Sequence, residues 1–169
     1  IDAVRWAETR GIAVEATGIE LHPVTAQLAR QRIEQARMAD RVTIQEIDAR
    51  ALPPAFQSTG PEPRFDLAHA SLFLHHLTET EAVNLLRDLG TLATRVVWGD
   101  LIRSRAAVAS AKLITLGAGP MVKQDAVLSV RKGFTPAEAR GLAQQAGLTV
   151  RSLRANRVFQ RFTLIAEPA

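Results

Sequence analysis

Val14-Glu15-Ala16-Thr17-Gly18-Ile19-Glu20 is a run of small and apolar residues that ends in a carboxylate, and His22-Pro23 follows almost at once. The run reads as a short buried strand with Glu20 at its carboxyl end. Proline suits the first turn of a helix, where its missing N–H needs no partner. Residues 23–38 then place Leu28, Ala29, Ile33 and Ala36 on one face and Gln27, Arg30, Glu34 and Arg37 on the other. Strand, tight turn and amphipathic helix together form half of a parallel β-α-β unit.

The same alternation extends in both directions. Upstream, residues 1–10 read as the remainder of a helix closed by Gly11. Downstream, residues 41–48 form a second strand, with Val42, Ile44 and Ile47 as its apolar members. Residues 53–64 are rich in Pro, Gly and Ser and read as a loop. Residues 65–74 are apolar almost throughout, as a buried parallel strand should be. Thr78-Glu79-Thr80-Glu81 is a capping box opening a helix whose inner face carries Ala82, Leu85, Leu86, Leu89 and Ala93. Residues 95–101 form a fourth strand. Residues 104–122 read as helical, interrupted by Gly117, Gly119 and Pro120.

A second capping box, Thr135-Pro136-Ala137-Glu138, opens a helix that turns Ala139, Leu142, Ala143 and Ala146 inward and stops at Gly147. Two strand-like runs close the chain, at 148–153 and 158–166, separated only by 154–157. So short a link requires antiparallel pairing, because a parallel crossover needs about a dozen residues or more. The pattern predicts a single α/β domain with a doubly wound, Rossmann-like, mostly parallel sheet and a C-terminal antiparallel hairpin.

Composition excludes several function classes. A chain of 169 residues with 47% hydrophobic content can bury a core of its own. No apolar run is long enough to span a bilayer. The absence of cysteine rules out disulfides, a cysteine-ligated zinc site and a thiol nucleophile, and fits a reducing compartment. The net charge is +4, and Arg151, Arg154, Arg157 and Arg161 form the densest basic run. A nucleic-acid surface usually pairs such a run with stacking aromatics. Aromatic residues are only 5% and tyrosine is absent, so the arginines read as a solvated surface.

In open α/β sheets, ligands bind beyond the carboxyl ends of the strands, and a carboxylate about 20 residues after a Gly-rich turn grips ribose hydroxyls. Glu20 has that position, although counting back from it reaches Ile1 before any glycine turn. Asp48 ends the neighbouring strand. Two carboxylates at neighbouring strand ends can together accept hydrogen bonds from donors on one ligand.

His75 and His76 stand between a strand and a capped helix, where a neutral imidazole could take a proton from a hydroxyl. The plainer reading has one of them packing or bonding loop backbone. Adjacent histidines cannot easily converge on one metal ion, and no metal site is expected. Asp66 lies at the wrong end of its strand and reads as structural. Asp100 either faces the pocket or pairs with Arg103 or Arg105. The 104–122 segment reads as a lid over the pocket or as a core helix, and Trp6 and Trp98 as packing residues.

This order of elements resembles the C-terminal two-thirds of a class I S-adenosylmethionine-dependent methyltransferase of the small-molecule type, over residues 1–166. In that family a terminal hairpin inserts an antiparallel last strand into a seven-stranded sheet. Thr17-Gly18-Ile19-Glu20-Leu21 resembles its second motif, which implies that Glu20, with Leu21 beside it, binds the cofactor ribose. Val42-Thr43-Ile44-Gln45-Glu46-Ile47-Asp48-Ala49 resembles the next motif, which implies that Asp48, beside Ala49, accepts the adenine amino group. Phe65-Asp66-Leu67-Ala68-His69-Ala70-Ser71 resembles the fourth motif and implies that Ser71 borders the cofactor. The stretch from Gly133 to Leu148 is common in small-molecule members.

The resemblance implies S-adenosylmethionine as cofactor and methyl transfer to a small, partly apolar acceptor, with O-methylation favoured over C- or N-methylation. The expected catalytic residues are His75 and His76. The expected location is cytoplasmic, with no nucleic acid or membrane as partner and a homodimer as the one protein assembly to consider.

Two departures stand out. The family's glycine loop has no counterpart, since Gly117-Ala118-Gly119 follows a helix rather than a strand. Leu89-Gly90-Thr91-Leu92-Ala93-Thr94 also replaces the Pro-Gly-Gly turn of many members. The family's first strand lies between the strands ending at Glu20 and Ser71. Without it the sheet is expected to split into two pieces, and the natural protein is expected to carry an upstream strand and a Gly-rich turn.

Two other functions compete. One is a non-catalytic methyltransferase-like fragment or pseudoenzyme serving as a binding or dimerisation module. The other is an NAD(P)-dependent dehydrogenase, whose fold also uses a carboxylate after the second strand. The terminal hairpin and the place of Asp48 weigh against the dehydrogenase.

Overall fold

The computed structural model describes residues 1–52 and 65–169, and the loop expected at 53–64 lies outside the described residues. The chain forms two compact units, Ile1–Pro53 and Pro54–Ala169.

The first unit holds helix α1 (Asp2–Glu8), strand β1 (Ala16–Glu20), helix α2 (Pro23–Gln35) and strand β2 (Val42–Glu46). The strands pair in parallel from Ala16 opposite Val42 to Glu20 opposite Glu46. Val4, Ile33, Met38 and Val42 form the core of this unit. The Ile44 side chain lies over Gly18, where a Cβ would come 2.7 Å from its Cδ1. Gly11, at φ +70°, turns the chain out of α1 in a conformation that favours glycine. Trp6 does not pack: it is 57% exposed, with the Arg10 guanidinium 4.1 Å above its ring.

The second unit holds strand β3 (Ala68–Ser71), a 3₁₀ turn (Leu74–His76), helix α3 (Glu79–Leu92) and strand β4 (Val96–Leu101). Helices α4 (Arg105–Ile114), α5 (Pro120–Lys132) and α6 (Pro136–Gln145) and strands β5 (Leu148–Asn156) and β6 (Arg161–Pro168) complete it. The four strands run in the order β3-β4-β6-β5. β3 and β4 are parallel, and β6 is antiparallel to both β4 and β5. Among the described residues the strands form two separate ladders, of two and four strands, as the sequence predicts.

Both capping boxes form. Thr78 and Glu81 satisfy each other's backbone at the start of α3, and Thr135 and Glu138 do so at the start of α6. Apolar residues alternate along β6, so Phe162, Leu164 and Ala166 point into the core while Arg161, Thr163 and Ile165 point the other way. On the core side Trp98 is fully buried and meets Phe134 and Phe162 edge-to-face, at centroid distances of 4.9 and 5.1 Å. Gly133 allows the chain to approach β4, since a Cβ there would lie 2.6 Å from the Leu101 carbonyl oxygen.

Several boundaries differ from those read in the sequence, three of them for a clear local reason. The 104–122 stretch ends its first helix at Ile114, and a second helix starts at Pro120 and runs on to Lys132. The third strand shortens to Ala68–Ser71, because Leu72 turns the chain at φ +53°. The terminal turn falls at 157–160 instead of 154–157. Asn156 Oδ1 accepts hydrogen bonds from the backbone of Val158 and Phe159, at 3.0 and 3.1 Å, and draws the chain round there. Val158 and Phe159 look like strand residues but sit exposed on the turn.

Candidate functional site

In the first unit, Glu20 and Asp48 lie at the carboxyl ends of two paired parallel strands. Glu20 Oε1 accepts a hydrogen bond from the His22 backbone N–H at 2.8 Å, just ahead of α2. The other carboxylate oxygen carries no hydrogen bond among the described residues. Asp48 is engaged more fully. Its Oδ1 accepts from Arg50 N and Nε at 2.9 and 3.0 Å, and its Oδ2 accepts from Arg50 Nη2 at 2.7 Å. The Arg50 side chain and backbone donors lower the Asp48 pKa to about 2. Leu21 is exposed, and Ala49 lies in the turn after β2.

The first unit therefore presents Glu20 and Asp48 at one end of a parallel strand pair, where Glu46, opposite Glu20, is engaged by Arg30. That donor-accepting set suits a ribose and an amino group. Asp48 would share its oxygens between such a ligand and Arg50.

The second unit holds the expected histidines. Leu72, a bulky residue in the left-handed region, turns the chain sharply out of β3; such a conformation costs on the order of 1–3 kcal/mol and persists where neighbours enforce it. The Leu72 backbone N–H donates to the Gly99 carbonyl at 2.8 Å and ties the turn to β4. The following 3₁₀ turn delivers His75 to the end of β4.

There His75 Nδ1 lies 2.6 Å from Asp100 Oδ1, with both side chains buried. Asp100 collects three further N–H donors: Leu101 N at 2.8 Å, Trp98 Nε1 at 3.2 Å and His75 N at 3.3 Å. A carboxylate surrounded by N–H groups acts only as acceptor, so His75 carries its proton on Nδ1. Nε2 is left as the lone-pair nitrogen. No sealed side-chain nitrogen or oxygen among the described residues lacks a partner, so Nε2, which has none, keeps contact with solvent.

His75 and His76 border a groove of about 1640 Å³ within this unit. One wall is the outer sheet face, including Leu101, Ser152, Thr163 and Ile165; the other comes from α4 and α5, including Ala107, Ala111, Ile114 and Val130. The His76 ring lies 4.0 Å from that of His75. Its pKa is lowered first by loss of water and then by repulsion from His75 and Lys132, while Asp100 and Asp125 oppose the shift. Ser71 sits at the end of β3, opposite Gly99.

Asp100 pairs with neither arginine considered for it in the sequence; Arg103 bonds Glu138 instead. Asp125 in the groove wall was not foreseen, and neither were Arg154 and Arg161. The signal for Arg161 is present in the alternation of 161–166, which turns it away from the core, whereas Arg154 reaches the same face through the hairpin register. Among the described residues no cluster of three or more His, Cys, Asp or Glu is arranged to hold a metal ion.

An antiparallel strand set between a parallel strand and its own hairpin partner is an arrangement this chain shares with the fold of the class I S-adenosylmethionine-dependent methyltransferases. Solved structures agree. A protein assigned as an O-methyltransferase from Nostoc punctiforme PCC 73102 superposes with a TM-score of 0.67 at 18% identity, over 98% of this chain and 47% of that one. The pyocyanin biosynthetic protein PhzM gives 0.65 at 18% identity, over 98% and 46%. The magnesium protoporphyrin IX methyltransferase of Synechocystis PCC 6803, with bound S-adenosylhomocysteine, gives 0.65 at 15% identity, over 98% and 68%. The chain spans about half the length of the first two. No protein-family model matches the sequence, and no curated protein matches it.

Proposed function

We propose that this chain belongs to an S-adenosylmethionine-dependent methyltransferase that acts on a hydroxyl group of a small, partly apolar molecule. The observation that carries the reading is the His75–Asp100 pair, which holds an imidazole with a free Nε2 at the wall of an apolar groove. A neutral imidazole fixed in this way is equipped to accept a proton.

Glu20 would hold the cofactor ribose, with Leu21 against it, and Asp48 and Ala49 would border the adenine. Ser71 would lie beside the cofactor at the end of β3. The cofactor, when bound, supplies a methyl group on a sulfonium centre, already activated for transfer. The protein's own work is then positioning and proton management. His75 Nε2 takes the acceptor's hydroxyl proton, and Asp100 stabilises the imidazolium that results. The apolar sides of α4 and α5 cover the acceptor as a lid and exclude water. His76, held towards its neutral form, shapes the groove without adding a second cation.

A cytoplasmic enzyme with a small-molecule acceptor, and with neither nucleic acid nor a membrane as partner, is the setting this reading expects. No described helix is long and apolar enough to cross a membrane.

Calorimetric titration of S-adenosylhomocysteine into the full-length protein tests the reading. Micromolar binding that is lost in Glu20→Ala and weakened in Asp48→Ala supports it. No binding by a folded protein would favour the pseudoenzyme instead.

A further inference from the structure

The groove is electrostatically lopsided. Its lining carries Arg154, Arg157 and Arg161 against a single carboxylate, Asp125. Asp125 acts on His76, where it opposes the lowering of that pKa. None of the three arginines forms an ion pair among the described residues, whereas Arg95 and Arg151 share Glu167 and Arg103 takes Glu138.

Strand register places two of them together. Arg154 stands opposite Thr163, and Asn156 opposite Arg161, so Arg154 and Arg161 are diagonal neighbours on the groove face of the hairpin. Like charges so placed repel one another, and a concave wall concentrates their field. A bound anion would relieve both effects. The guanidinium fork matches a carboxylate in two parallel hydrogen bonds.

Resting on the methyl-acceptor reading above, we propose that the acceptor is a hydroxy acid with an apolar body, and that Arg154 and Arg161 bind its carboxylate, with Arg157 at the rim. Ala107, Ala111, Ile114 and Val130 pack the apolar body. His75 Nε2 receives the hydroxyl proton. One groove thus recognises three chemically distinct parts of one molecule, and the charge selects among acceptors of similar shape.

The test compares two probes of the same shape, 2-naphthoate and 2-naphthamide, by calorimetry on the full-length protein at low salt. The acid should bind about tenfold tighter or more, as expected for charge-assisted hydrogen bonds. Added salt should narrow the gap. Arg154→Gln and Arg161→Gln should each reduce the preference and the double variant should abolish it, with melting temperatures reporting that the fold persists. Equal affinity for the two probes, binding of neither, or a preference that survives the double variant would overturn the proposal. S-adenosylhomocysteine binding is measured on the same samples. If it fails while the arginine-dependent preference holds, the anion site stands and the methyltransferase reading falls. If it succeeds without a charge preference, the reverse follows.

Discussion

His75 Nδ1 and Asp100 Oδ1 are 2.6 Å apart, in side chains that are 4% and 0% exposed, although 25 residues separate them in sequence. Asp100 is held in turn by Trp98 and by the Leu101 backbone. The histidine is therefore aimed by a carboxylate that is itself fixed. Asp100→Asn keeps the shape but replaces an acceptor oxygen with an N–H₂ donor, which favours the wrong tautomer. We expect methyl transfer to fall by about 10²- to 10⁴-fold while S-adenosylhomocysteine affinity is unchanged. His75→Gln should match that loss and His76→Gln should not, as steady-state rates on the three variants would reveal.

Asp48 should titrate far from an ordinary carboxyl. Hydrogen bonds from Arg50 lower its pKa from 3.8 to about 2. A folded-state pKa below the unfolded value makes a stabilising contribution that is present above 3.8 and is lost as the pH falls towards 2. A carboxyl carbon NMR titration should give a midpoint near 2 for Asp48, and Arg50→Ala should return it towards 3.8. An unchanged midpoint in that variant would remove the Arg50 side chain as the cause.

The two tryptophans should behave oppositely. Trp98 is fully buried between Phe134 and Phe162, so Trp98→Ala should cost about 3–5 kcal/mol. Trp6 is more than half exposed, with the Arg10 guanidinium over its ring, so Trp6→Ala should cost no more than about 1 kcal/mol. Urea unfolding curves measure both.

Thr78→Ala and Thr135→Ala each remove one side of a capping box and should each cost about 0.5–2 kcal/mol. The denaturation midpoint should fall with little change in slope. A loss confined to one variant would mean that only that helix end needs its cap.

Much of this architecture could be read in the chain because its signals are local. The capping boxes are four-residue patterns, and the terminal hairpin follows from a link too short for a crossover. The strand ending at Glu20 stops just before the His22-Pro23 turn signal. What escaped the sequence depends on distant contacts or on geometry. Whether Asp100 would meet His75, Arg103 or Arg105 depended on the Leu72 turn, and nothing in the residues themselves announces a leucine in the left-handed region. The second half of the 104–132 stretch was missed because Pro120 ends one helical pattern and opens another. Arg154 and Arg161 passed for surface charge until the register put them on one face of the groove.

The most direct test of the account is the ring tautomer of His75, read by nitrogen-15 NMR of histidine-labelled protein at a pH where the ring is neutral. The account predicts a proton on Nδ1, shared with Asp100, and an unprotonated Nε2, with the assignment lost in Asp100→Ala. A proton found on Nε2 would contradict it, because the nitrogen offered to the groove would then be unable to accept one.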